Sequence, residues 1–316
     1  MRVAVLGLGF MGSTHVKAWR QVPDARLVAV MSSDDRKLAG DLTSVQGNLG
    51  TSGERVDFSD LRKYTSIEAA LADPQIDAID VCLPTDLHAA AAIAALRAGK
   101  HVLVEKPLAL SRADAQSVFD ESKRCGRILM AGHVLRFIPA YADLRGRLPK
   151  SSPVQSAVFR RDCAAPAWGG WLTDPARSGG GVFDLLIHDA DFCISLWGMP
   201  ESVRATGEEN LKNGVDMVHA ALSYRDIGPV VITGGWHQDP SYPFSMQFSV
   251  ETELGSFAWS SEESETGEPF AAELRYFSDC VNANRGPELC PPEESVQAVA
   301  LMERILESRR HNGEPT

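Results

Sequence analysis

Residues 3–12 read Val3-Ala4-Val5-Leu6-Gly7-Leu8-Gly9-Phe10-Met11-Gly12, and this run decides the fold. Its first four residues have the apolar character of a short buried strand. Gly7-Leu8-Gly9-Phe10-Met11-Gly12 is a G-x-G-x-x-G turn, and a helical pattern follows from Met11 to about Val22. Gly7 permits the tight turn, Gly9 lets a pyrophosphate approach the backbone, and Gly12 lets helix and strand pack closely. A pyrophosphate would rest on the positive end of the helix, at Phe10 and Met11. Strand, glycine turn and helix in this order imply a dinucleotide-binding unit.

Working outward, strand and helix signals alternate through the first ~130 residues. Strands are expected at Arg26–Met31, Ala78–Leu83, His101–Val104 and Ile128–Ala131. Helices are expected at Leu38–Val45, Ile67–Leu71 behind Ser66, His88–Ala98 before Gly99, and Arg112–Cys125 before Gly126. Such alternation predicts an α/β fold with a doubly wound, mostly parallel Rossmann sheet. From Val154 to Ser260 the signals change to several strands and one helix, Val182–Leu196. Phe244, Met246, Phe248 and Val250 alternate with Ser245, Gln247 and Ser249, the period of a sheet with one buried face. Val203–Thr206, Met217–Tyr224 and Val230–Trp236 are its expected neighbours, which makes the second domain α+β. The domains are expected over residues 1–132 and 133–316. A last helix near 292–310, with acids at its start and bases at its end, is free to pack back on the first domain.

The net charge is −11, from 31 basic and 42 acidic side chains. That balance disfavours nucleic acid and anionic membranes as partners. No apolar run approaches the ~20 residues of a membrane helix. Six cysteines show no C-x-x-C pair and no metal spacing, so reduced thiols, a cytoplasmic location and no metal are expected.

The end of the second strand selects the cofactor. Ser32-Ser33 stand where an acid would bind the ribose of NAD, and Arg36 and Lys37 follow Asp34 and Asp35. The hydroxyls and cations favour NADP over NAD; the two aspartates oppose it. Glu105-Lys106-Pro107 follows a strand at the edge where such sheets bind ligands, and a lysine there can donate to a substrate oxygen. Asp184 and His188, behind Gly179-Gly180-Gly181, share one helix face. A histidine so placed can take a proton from an alcohol as hydride leaves for a nicotinamide. A helix cap and a core histidine are the alternatives for these two residues.

These motifs together resemble the glucose–fructose oxidoreductase and inositol dehydrogenase (Gfo/Idh/MocA) family over nearly the whole chain. The resemblance rests on GLGFMG, on LPTDLH at 83–88, on GKHVLVEKP at 99–107, on GHVLRFIPAY at 132–141 and on GGGVFDLLIHDAD at 179–191. It implies an open, largely antiparallel second sheet and a homo-oligomer, dimer or tetramer. It implies NAD(P)-dependent hydride transfer on a secondary hydroxyl or ketone of a sugar, cyclitol or related molecule. Lys106, Asp184 and His188 match the family's catalytic residues, with His188 as acid/base. Leu83, Pro84, Thr85 and His88 match the segment along the cofactor, and Glu105 and Pro107 its wall. Trp171 matches the tryptophan of a W-R dipeptide, but Leu172 replaces the arginine, for which Arg177 is a substitute. Arg136, Tyr141, Trp168 and His237 are further candidates for the substrate pocket, each equally open to a packing role. Two other functions stay open: a dinucleotide- or sugar-sensing regulator of the same fold, and a reductase of a non-sugar substrate.

Overall fold

A computed structural model describes residues 1–47, 53–148, 154–168, 170–253, 255–262 and 266–316. The chain forms two compact units, Met1–Val134 with Glu268–Val296, and Leu135–Gly267 with Gln297–Thr316.

The first unit holds strands β1 (Arg2–Leu6), β2 (Arg26–Met31), β3 (Arg62–Tyr64), β4 (Ala78–Val81), β5 (His101–Glu105) and β6 (Leu129–Gly132). They form one parallel sheet in the order β3-β2-β1-β4-β5-β6. Strand order reverses between β1 and β4, the point beyond which such sheets bind dinucleotides. Helices α1 (Phe10–Trp19), α2 (Asp35–Leu38), α3 (Ile67–Leu71), α4 (His88–Arg97) and α5 (Arg112–Cys125) connect the strands. Local chemistry sets their ends. Ser66 and Ser111 accept backbone N–H groups of the first turns of α3 and α5, and Gly126 closes α5 in the left-handed region. The expected helix over Leu38–Val45 is absent: Asp34 caps one short turn, and the chain leaves it at Gly40, whose φ is +87°.

Further along the chain come α6 (Pro139–Arg147), β7 (Val154–Cys163), α7 (Pro175–Ser178) and α8 (Gly180–Trp197). After these lie β8 (Ser202–Asn210), β9 (Val215–Ser223), β10 (Val230–Trp236), β11 (Ser245–Thr252), β12 (Gly255–Ser260), α9 (Pro269–Asn282) and α10 (Pro292–Arg310). The second sheet runs β12-β11-β7-β10-β9-β8. Only β7 and β10 pair in parallel, so the sheet is open and mainly antiparallel. On β11, Met246, Phe248 and Val250 are buried and Gln247 and Ser249 exposed, as their alternation predicts.

One domain crossing near residue 133 is expected, with a last helix free to pack back; the chain changes unit three times, after Val134, Gly267 and Val296. Residues 268–296 return to the first unit, where α9 packs on α1 and the rings of Trp19 and Phe277 meet edge to face at 6.5 Å. The last helix divides at Val296, its first turn in one unit and its remainder in the other. Among the described residues no helix is long and apolar enough to cross a membrane.

Helix α8 is held in the second unit by two buried ion pairs. Arg161 grips Asp189 through Nε and Nη2 at 2.9 and 3.0 Å, and Arg136 grips Asp191 at 2.8 and 2.6 Å. Breaking a buried pair strands a charge, whereas replacing both partners removes the desolvation cost as well. We therefore expect Arg161→Met to cost about 3–5 kcal/mol. The joint Arg161→Met and Asp189→Leu protein recovers most of that loss, as read from urea unfolding midpoints.

Candidate active site

The loop after β1 is built for a close approach. Gly7 takes φ +94°, and a Cβ on it would stand 2.5 Å from the carbonyl oxygen of Cys82, just past β4. A Cβ on Gly12 would stand 1.8 Å from the carbonyl oxygen of Gly7. Both are contacts no side chain tolerates. Gly9 is different: a Cβ there would meet nothing within 4 Å, and its φ of −80° suits any residue. Gly9 is also the N-cap of α1, and no side chain caps that end. The open space over Gly9 faces uncapped N–H groups at the positive end of a helix, which fits a pyrophosphate. Phe10 lies beside it, packed against Gly47.

The edge of β2 divides its polar groups. Ser32 Oγ accepts the Asp34 N–H at 3.1 Å, and Asp34 in turn caps α2 by accepting from Arg36 N at 2.9 Å and Lys37 N at 3.4 Å. Ser33 is exposed, as is the Arg36 side chain, whose guanidinium stands 3.7 Å from Asp41. Of the two aspartates that oppose NADP in the sequence, Asp34 is thus committed to a helix cap, while Asp35 is exposed in the first turn of α2.

Past β4, Leu83 and Pro84 are half-buried and Thr85 buried. His88, expected along the cofactor, is enclosed instead: Nδ1 lies 2.7 Å from the Pro107 carbonyl and Nε2 2.8 Å from the Leu83 carbonyl. It staples the loop after β4 to the loop after β5. Burial pushes its pKa down, and the two carbonyls restore only part of the shift. At the end of β5, Glu105 and Pro107 are buried and Lys106 half-buried.

In the second unit, α8 starts on three glycines for two reasons. Gly179 and Gly180 have φ of +82° and +88°, and a Cβ on Gly181 would strike the Trp236 ring at 2.3 Å. Asp216 of β9 then caps the helix from outside, accepting the Val182 N–H at 3.0 Å. From Gly180 to Ile194 every residue of α8 is buried except Asp184 and His188. These two stand one turn apart on one face.

Two pocket expectations are corrected. Tyr141 is fully buried, with ring centroids of Phe192, Phe248 and Trp259 at 4.8, 5.0 and 5.6 Å, so it packs the sheet. Arg136 is consumed by its pair with Asp191. Trp168 and Trp171 are half-buried, and His237 contacts Asp162 at 3.4 Å and Gln238 at 2.8 Å. Leu172, where the family arginine was expected, packs against Cys163, Leu185 and Trp236; Arg177 is half-buried. The sequence reading passed over His15, Asp80 and Asp216. An aspartate inside the apolar run 78–83 was the available signal for one of them.

The first unit is by this geometry a dinucleotide-binding Rossmann unit. A model of the oxidoreductase family with NAD-binding Rossmann fold matches residues 1–133, and a GFO/IDH/MocA C-terminal domain model matches residues 153–258. The chain belongs to the GFO/IDH/MocA oxidoreductase family. It is 36% identical to 1,5-anhydro-D-fructose reductase of Ensifer adhaerens over 41% of this chain and 40% of that protein. It is 33% identical to scyllo-inositol 2-dehydrogenase (NAD(+)) of Bacillus subtilis, over 71% of this chain and 63% of that one. These matches span about 40 to 63% of the relatives' lengths. A levoglucosan dehydrogenase, solved with NADH and levoglucosan, superimposes with a TM-score of 0.84 at 17% identity, covering 100% of this chain and 98% of that one. That likeness establishes the fold.

The two glycine environments separate folding from binding. Serine is a good N-cap, so we expect Gly9→Ser to change stability by less than about 0.5 kcal/mol. Its side chain fills the space over the loop, and calorimetry should show dinucleotide affinity falling at least about tenfold.

Proposed function

We propose that this protein transfers hydride between a nicotinamide dinucleotide and a secondary hydroxyl or ketone of a sugar, cyclitol or related small molecule. The observation that carries the reading is the burial of α8: its first 15 residues present only Asp184 and His188, a histidine and a carboxylate one turn apart. The names of the relatives support the substrate class. The dinucleotide, held by Gly7, Gly9 and Gly12, supplies the hydride chemistry. His188 takes the proton from the hydroxyl in oxidation and returns it in reduction. Asp184 orients the imidazole or binds a neighbouring substrate hydroxyl. Lys106 donates to the reacting oxygen and steadies its developing negative charge.

We further propose a preference for NADP. Asp34 is turned to its cap, which leaves Ser32, Ser33 and the exposed Arg36 to meet a ribose 2′-phosphate.

Calorimetric titration of the cofactor-stripped protein with NAD(H) and NADP(H) tests the first requirement; saturable binding is expected, and none would end the oxidoreductase reading. Turnover on a panel of polyols and sugars follows. Lys106→Ala and His188→Ala should each lower kcat by about 10²–10⁴. Arg36→Ala should weaken NADP by about fivefold or more and leave NAD unchanged. Equal effects on both dinucleotides would remove the proposed preference.

A further inference from the structure

His15 lies on the inner face of α1 with no solvent exposure. Its Nδ1 stands 2.8 Å from Asp80 Oδ2, and its Nε2 stands 2.9 Å from Glu105 Oε1. Asp80 lies on β4 and also accepts the Trp19 indole N–H at 2.7 Å. The second oxygen of Glu105 accepts the backbone N–H of Lys106 at 3.1 Å. Hydrogen bonds run from Trp19 through Asp80 to His15 Nδ1, and from Glu105 to the amide of Lys106; between them His15 Nε2 and Glu105 Oε1 meet as an ion-pair contact at 2.9 Å that lacks hydrogen-bond alignment.

A neutral imidazole carries one N–H, and two carboxylates on its two nitrogens need two. The imidazolium donates to Asp80 from Nδ1 and sets its positive charge against Glu105 at Nε2. Around the ring stand Asp80 of β4, the Cys82 thiol, Glu105 of β5, and from α9 the Glu273 carboxylate and the Phe270 ring at 6.0 Å. Burial alone would drive the proton off, but Asp80 and the Cys82 sulfur together outweigh it and hold the pKa well above its ordinary value. Such a ring has no lone pair for a metal, although these groups bring possible ligand atoms within 4.8 Å of one another. Without the cation, buried carboxylates would face each other, and Glu105 would lose the contact that fixes it. The sign follows from linkage. Stability from a raised imidazole pKa is fully present below about pH 6.5 and is lost as pH rises through the folded-state value.

We propose that His15 is a positioning residue: a buried imidazolium that holds Glu105 and, through its second oxygen, the backbone amide of Lys106. The proposal rests on the reading of Lys106 as a group that contacts the reacting oxygen.

Histidine labelled with ¹⁵N in the native protein gives the first readout. One ring should show imidazolium shifts at both nitrogens at about pH 7, where an exposed histidine is mostly neutral, and His15→Gln should remove that signal. A neutral ring at about pH 7 overturns the proposal. Kinetics give the second readout. His15→Gln should keep the dinucleotide Kd within about threefold and lower kcat about tenfold or more. In a Lys106→Ala background the same change should lower kcat by less than about twofold, because both act through one group. Equal losses in the two backgrounds, or a loss confined to dinucleotide affinity, overturn it. If His15→Gln does not fold, Glu105→Gln replaces it, with the same non-additivity expected. A Lys106→Ala protein as active as the native one overturns the functional reading and the proposal together. Loss of activity in Lys106→Ala with additive effects overturns the His15 proposal alone.

Discussion

No side chain fits between the Cα of Gly12 and the carbonyl oxygen of Gly7, because a Cβ would lie 1.8 Å from that oxygen. That contact sets how closely α1 leaves β1, and much of the first unit follows from it. The helix start stands over the reversal in strand order, with its N–H groups turned to open space. One turn further on, on the same inner face, His15 comes down on Asp80 and Glu105. The spacing that admits a phosphate therefore also admits a buried ion network beneath it. Lys106 inherits its backbone hydrogen bond from that network.

The second unit handles its functional helix by the opposite means. Nothing in α8 is left to backbone packing alone. Arg161 and Arg136 fix the middle of the helix through Asp189 and Asp191, and Asp216 fixes its start. Asp216 is itself fixed by Arg309 at 2.5 Å. Buried charge is a costly way to hold a helix, but it is directional where apolar contact is not. The result is a helix fixed in rotation, so that Asp184 and His188 are the two side chains of its first 15 residues left outside the core.

Much of this was legible in the sequence where one residue type answers to one local rule. Ser66, Gly99 and Gly126 marked helix ends correctly, and the alternation at 244–250 gave the buried face of β11. Where local rules ran out, the reading failed. The helix expected at Leu38–Val45 lost to a cap and a left-handed glycine. Apolar residues at 270, 271, 274, 277, 280 and 281 carry the spacing of α9, yet that helix passed unseen. Tyr141 and Arg136 look alike in sequence as polar candidates, and only their partners, distant in the chain, turn them into core. His15 needed Asp80 and Glu105 brought together by strand order, which no spacing in the chain reveals.

The return of residues 268–296 to the first unit has a consequence for how the chain is made. A ribosome releases all of β1 to β6 before it has translated a residue of α9. Until then the face of α1 that carries His15 and Trp19 lacks the rings of Phe270 and Phe277. A nascent chain at that stage has a complete parallel sheet with an apolar, charged seam still open to water, the kind of surface that chaperones bind. Birth order and folding order thus part company: the unit begun first cannot close until residues 268–296 are translated, after residues 135–267 of the second unit.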